Sequence, residues 1–207
     1  MANEIKTITD PMTSNNPVTV QVLGICSALA VTSQLQPSLV MGLAVMFVVA
    51  GSNVIVSLIR KQIPNRVRMI VEMVVIASMV IFVDLFLKAF AWDVSKQLSV
   101  FVGLIITNCI VLGRLEAYAM GNKVWPSFLD GIGNGIGYAA VLVIVGATRE
   151  LFGSGSLWNV KLIPESWYTA NGGFYDNNGL MVLAPAAFIL LGLIVWIQRT
   201  LSGYEED

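Results

Sequence analysis

From Pro11 to Ile59 the chain carries no Asp, Glu, Lys or Arg, and this run limits the possible folds more than any other feature. A bilayer-spanning helix takes about 20 mostly apolar residues, so the run has room for two spans. Gln97–Gly113, Gly131–Thr148 and Asn177–Gln198 are also free of charge. Hydrophobic residues make up 56% of the 207 and charged residues 12%, against roughly 45–50% and about 25% in soluble domains. With a mean hydropathy of +0.77, such a chain cannot clothe its own surface in polar groups. It is read as integral to a membrane.

Six spans are expected, at about 18–36, 38–59, 69–88, 97–113, 130–149 and 179–198, with Pro37 separating the first two. They are expected to be helices, because long apolar runs without two-residue alternation do not suit a barrel and lipid demands internally paired backbone. The first and fourth are poor candidates for plain helices. One holds Thr19, Gln21, Ser27, Thr32, Ser33 and Gln34, and the other is short, with Thr107 and Asn108 next to Cys109.

Orientation follows from basic residues in short loops. Arg60, Lys61, Arg66 and Arg68 crowd the loop after the second span, so that loop is expected in the cytoplasm. Arg114, Lys123 and Arg199 then fall on the same side, the loop 150–178 outside, and both termini in the cytoplasm. The first ten residues mix acids with one lysine and show no signal-peptide pattern. A net charge of −1 gives no argument for a nucleic-acid partner.

Three spans precede residue 95 and three follow it. Homologous halves with an odd number of spans insert in opposite directions, so the expected fold class is an all-α integral membrane protein made of two inverted three-helix repeats, 1–95 and 96–207, with spans one and four discontinuous. Each half then has one cysteine in its first span, Cys26 or Cys109, and the chain has no others and no histidine. Thiolates are soft ligands suited to iron–sulfur clusters, but a [2Fe–2S] site takes four. A cluster here would need two ligands from a second chain. A lone membrane cysteine is otherwise a small buried hydrophobe, and a Cys26–Cys109 disulfide is possible by count.

Gly131, Gly133, Gly135 and Gly137 alternate near the start of the fifth span. A dinucleotide fingerprint needs a preceding strand and a glycine where Ile136 stands, so the overlapping small-xxx-small pairs are read as close helix packing. Glu72 and Asp84 flank a charge-free segment of about 16 Å at helical rise, Asp130 opens the fifth span, and Glu116 follows the fourth. These four carboxylates are candidates for a cation path, with Asp130 preferred. The competing reading has them snorkel or pair with Arg68, Lys88 or Arg114. Trp158, Trp167, Tyr168 and Tyr175 give the loop 150–178 the character of an interfacial belt or docking surface.

The segments NPVTVQVLGICSALAVT (16–32), LSVFVGLIITNCIVLGRLEAYAM (98–120) and PSFLDGIGNGIGY (126–138) closely resemble the D subunits of the sodium-translocating NADH:quinone reductases, and less closely their counterparts in Rnf-type ferredoxin:NAD reductases. The resemblance runs over essentially the whole chain. It implies a bacterial inner-membrane complex of six subunits, in which this chain pairs with a homologous E-type subunit of opposite topology. It also implies that Cys26 and Cys109 give two of the four ligands of an intramembrane [2Fe–2S] centre. Electrons from NADH would pass through this centre towards ubiquinone as sodium crosses the lipid bilayer, the NADH and quinone chemistry lying on other chains. The alternative class is a secondary transporter with inverted repeats and inert cysteines.

Overall fold

In a computed structural model the described residues are 15–64, 66–90, 103–158, 160–161 and 183–202, with isolated positions at 7, 9, 11 and 179. Their main α-helices are α1 (Ile25–Val31), α2 (Leu35–Ile59), α3 (Arg68–Phe90), α4 (Cys109–Arg114), α5 (Val124–Ser154) and α6 (Ala184–Ser202). A π-helical turn, Leu115–Ala119, continues α4, and two-residue strands β1 (Ser156–Leu157) and β2 (Val160–Lys161) pair antiparallel after α5. Three helices, α2, α3 up to Ala89 and α5, are long and apolar enough to cross a membrane, while α6 contains a shorter apolar helix, Ala184–Thr200.

The centre of the molecule is the α2–α5 pair, and small residues let the two helices approach. A Cβ built on Gly131 would lie 2.7 Å from Cα of Ala50, and one on Gly135 would lie 2.6 Å from Cα of Met46. From the other side, a Cβ on Gly42 would meet that of Ala139 at 2.8 Å. In lipid, where apolar surface gains nothing by leaving solvent, such backbone proximity and buried polar bonds hold helices together. Asn53, fully buried, donates Nδ2 to the carbonyl of Ser127 at 3.0 Å. The alternating glycines are therefore a packing stripe. Helices α3 and α6 instead turn Ile70, Val74, Phe82, Phe86, Phe188 and Trp196 outward.

Four boundaries differ from the sequence expectation. Pro37 does not separate two spans: it lies in the first turn of α2, where proline's missing N–H would have no intrahelical partner, and the break falls earlier, at Thr32–Gln34. The carboxylate of Glu150 accepts from the Leu35 N–H at 2.7 Å and satisfies that helix start from another element. Residues 18–24 are not helical, and α1, with seven residues and about 10 Å of rise, is too short to cross a bilayer. Helix α5 extends past both ends of its expected span, because Asp130, Arg149 and Glu150 are buried and bonded within the fold rather than marking its edges. It stops at Gly155, which takes the left-handed conformation at φ 64.

The fourth expected span is helical at 103–106, leaves the helix at Thr107 and Asn108, and resumes at Cys109. Its residues 97–102 lie outside the described set, as do the repeat boundary at 95–96 and, in the loop 150–178, Trp167, Tyr168 and Tyr175.

Candidate functional site

Both cysteines sit at helix starts that follow a non-helical turn. Cys109 opens α4, and its preceding residue, Asn108, caps that helix by accepting from the Ile110 N–H at 3.3 Å. Cys26 is the second residue of α1, whose N-cap is Gly24. Gly24 has φ 79, and a Cβ there would lie 2.8 Å from the Tyr138 ring, so glycine is required both for the backbone angle and for the space. Two residues earlier Val22 adopts φ 58, a conformation that β-branched side chains rarely hold. Backbone strain is thus concentrated in the turn that presents Cys26.

The two cysteine segments are joined. The Gly24 N–H donates to Sγ of Cys109 at 2.8 Å. Below this contact, the Ser27 hydroxyl donates to the Gly24 carbonyl at 2.9 Å and lies 2.6 Å from the Tyr138 hydroxyl. Nδ2 of Asn108 donates to Ser27 at 3.1 Å and reaches the Tyr138 oxygen at 3.5 Å. All three network side chains are buried, Tyr138 completely. Cys26 is exposed and Cys109 half-buried, and both thiols are free, so the disulfide allowed by count is not formed.

This arrangement can serve as half of a soft-ligand site. Two sulfur atoms are presented on interlocked loops, and one of them accepts a backbone N–H, a donor that suits an anionic centre. No group of three or more His, Cys, Asp or Glu able to hold a metal ion occurs among the described residues. Two thiols are thus the soft donors that the described residues offer here, a set that fits two of the four ligands of a [2Fe–2S] cluster.

The four expected carboxylates divide into two kinds. Asp130, 2% exposed, is gripped by Arg114: Nε donates to Oδ2 at 3.0 Å, Nη2 bonds Oδ1, and Nδ2 of Asn134 adds a bond to Oδ1 at 3.0 Å. The Arg114 guanidinium also lies 5.4 Å from the centre of the Tyr118 ring and 3.5 Å from Oε1 of Gln21, in the turn leading to Cys26. Asp84 is paired with Lys88 one turn on, at 2.6 Å. Both thus have cationic partners of their own. Glu116, in the π turn, accepts from Arg68 through one oxygen, while its other oxygen and both oxygens of fully buried Glu72 lack a donor among the described residues.

Sequence reasoning missed Tyr138 and Arg149. Tyr138 sits at the end of the glycine stripe, and only the fold turns its hydroxyl towards Ser27. Arg149, 2% exposed, bonds Oγ1 of Thr32 at 2.7 Å and the Leu183 carbonyl at 3.3 Å, joining α1, α5 and the start of α6. Ser27 and Asn108 did leave a signal, as polar residues in otherwise apolar spans.

Fold and site together define a multi-pass helical membrane protein that presents two free thiols on facing loops. The sequence profile of the Rnf-Nqr subunit membrane proteins matches residues 4–195, and the chain belongs to that family. It is 60% identical over 207 residues to the D subunit of the Na(+)-translocating NADH-quinone reductase of Psychromonas ingrahamii, covering 100% of this chain and 97% of the relative. The D subunits of the same enzyme from Photobacterium profundum and Aeromonas hydrophila are 59% and 60% identical over 197 and 195 residues. These matches cover 95% and 94% of this chain, and 92% and 91% of the relatives.

Proposed function

We propose that this chain is an electron-transfer subunit of a redox-driven sodium pump, the Na+-transporting NADH:ubiquinone reductase. In this reading Cys26 and Cys109 give two of four thiolates to an intramembrane [2Fe–2S] centre, and a homologous subunit of opposite topology gives the other two. The observation that carries the reading is the Gly24-to-Cys109 contact, which locks the two cysteine segments into one unit although they lie far apart in sequence. When bound, such a centre takes up and passes on single electrons.

The chain's own residues prepare for that charge. Gly24 donates its N–H to one sulfur, and Ser27, Asn108 and Tyr138 hold the two segments at fixed separation. Cys26 is exposed, as a ligand reaching towards a neighbouring subunit must be. The non-helical turns at 18–24 and 107–108 fit discontinuous first and fourth spans, and two cysteine-bearing helix starts fit an inverted repeat of 1–95 and 96–207. The relatives' names favour the sodium pump over an Rnf-type complex. As names of a subunit they also support a place in a larger complex, which this reading puts in a bacterial inner membrane. Asp130, Asp84, Glu72 and Glu116 are the oxygen donors available to sodium. NADH oxidation and quinone reduction fall to other chains.

Iron analysis with electron paramagnetic resonance on the purified complex tests this reading. A [2Fe–2S] signal lost in both Cys26→Ala and Cys109→Ala complexes is expected. An unchanged signal, or no iron attributable to these sulfurs, would return the chain to a transporter with inert cysteines.

A further inference from the structure

Glu72 is fully buried one turn into α3, and neither of its carboxylate oxygens has a donor among the described residues. Its carboxyl group feels the charge of Glu116, whose buried Oε2 also lacks a donor. Three carboxylate oxygens in one neighbourhood thus lack a donor among the described residues. Arg68, one turn before Glu72, bonds the far oxygen of Glu116 and cancels one of the two negative charges. The other, on fully buried Glu72, has no hydrogen-bonded counter-charge among the described residues.

Buried polar groups almost always find a partner, and an isolated buried carboxylate is among the most expensive things a protein can hold. Two neighbouring carboxylates that share one counter-charge do not both stay ionised unless a further cation joins them. Charge fixes the valence, because a monovalent ion makes the cluster neutral and a divalent one overshoots. Oxygen-only donors select a hard cation. Glu116 owes its place to the π turn, a rare element that recurs where a helix is adapted to a task. That turn continues α4, so the site lies about 10 Å of helical rise from Cys109.

We propose that Glu72 and Glu116, with Arg68 as counter-charge, form a binding site for one small monovalent cation held between the two carboxylates. Sodium and a proton share this chemistry. The site gives the pump reading a specific ion-binding residue pair, but neither cysteine enters it, so the two proposals fail separately: this one on cation binding, that one on iron.

Glu72→Gln and Glu116→Gln test it in the purified complex. Either amide supplies the missing donor and removes the uncompensated charge, so both variants should assemble with their iron intact. If the occupant is sodium, the sodium concentration giving half-maximal thermal stabilisation, at ionic strength held constant with choline, should rise at least about tenfold in both, since affinity follows ligand charge. If it is a proton, sodium dependence should stay as in the parent, and a protonated-carboxyl band should vanish from the infrared difference spectrum. Parent-like sodium dependence together with a parent-like carboxyl band in both variants would overturn the proposal. Should Glu72→Gln fail to assemble, Glu116→Gln alone decides, because Glu116 is partly exposed and its loss leaves Arg68 and Glu72 balanced.

Discussion

The backbone N–H of Gly24 meets Sγ of Cys109 at 2.8 Å across 85 positions of sequence. One element's N-cap residue thereby solvates the sulfur that opens another element's helix. A cysteine used only as apolar filling would face methyl groups. This one faces a donor. Cys26 follows that N-cap by two residues, so the two cysteine segments are tied together by this hydrogen bond and by the Ser27–Asn108 contact behind it.

Replacing either cysteine by alanine should abolish quinone-linked electron transfer while NADH oxidation by artificial acceptors continues. On the proposed ligation, only the relay through the membrane would lose a ligand. Parallel assays of the two activities on one preparation check this, and normal quinone reduction by either variant would remove the ligand assignment.

Gly24→Ala should weaken the site without touching a ligand. It forces an L side chain to φ 79, at roughly 1–2 kcal/mol, and drives a Cβ into the Tyr138 ring. The expected result is a smaller or broadened cluster signal at unchanged subunit content. Tyr138→Phe keeps the ring and removes the hydroxyl that faces Ser27, costing about 1–3 kcal/mol for the buried partners left behind. A sharp, full-strength signal in Gly24→Ala would show that the turn does not position Cys109.

Much of this architecture is legible in the sequence because lipid imposes length and apolarity on any span. The α2, α3 and α5 spans announce themselves this way, and the glycine stripe announces close helix packing, though not that α2 is the partner. Charge is the misleading guide. Arg149 and Glu150 mark the end of an apolar run, yet both are buried in bonds to other elements and the helix continues to Ser154. Asp130 stands at the edge of its apolar run, and the arginine that grips it, Arg114, belongs to a different span. No local pattern records which charges meet across the fold, nor which ring of α5 faces the cysteine segments. The polar residues around both cysteines do mark the breaks, since serine, threonine and asparagine offer the backbone alternatives to a regular helix.

Gly135→Ala and Gly192→Ala should separate widely. A methyl group at 135 would enter the backbone of Met46 at 2.6 Å, whereas nothing lies within 4 Å of one at 192. Overpacking of this kind costs about 1–3 kcal/mol or more. Subunit yield in detergent should fall for the first and stay level for the second, and equal yields would show that the glycine stripe is not under close packing.

Asp130→Ala should impair assembly before it impairs transport. Removing one member of a buried pair costs about 3–5 kcal/mol because the other charge is left alone, and Arg114 would be that charge. The double variant Arg114→Gln, Asp130→Asn should recover most of the loss in thermal stability. A raised sodium requirement in a fully assembled Asp130→Asn complex would instead give this carboxylate the cation-capturing role expected from its place beside the glycines.

The C-terminus should lie on the same side of the membrane as the basic loop 60–68, and the β1–β2 hairpin on the other. Contacts already sort the ends. Arg60, closing α2, reaches the carbonyl of Asn122 just before α5, and Arg68, opening α3, holds Glu116, so the ends near 60, 68, 116 and 124 belong together. At the opposite end Leu35 is bonded to Glu150, and Arg149 to Leu183 at the threshold of α6. From Leu183, the 19 residues of α6 rise about 28 Å, enough to return the chain to the first end. From the four basic residues within 60–68, that end is expected in the cytoplasm. A fluorescent protein fused to the C-terminus should therefore mature, and alkaline phosphatase fused after Gly155 should be active. Phosphatase activity from a C-terminal fusion would invert the orientation of the whole subunit.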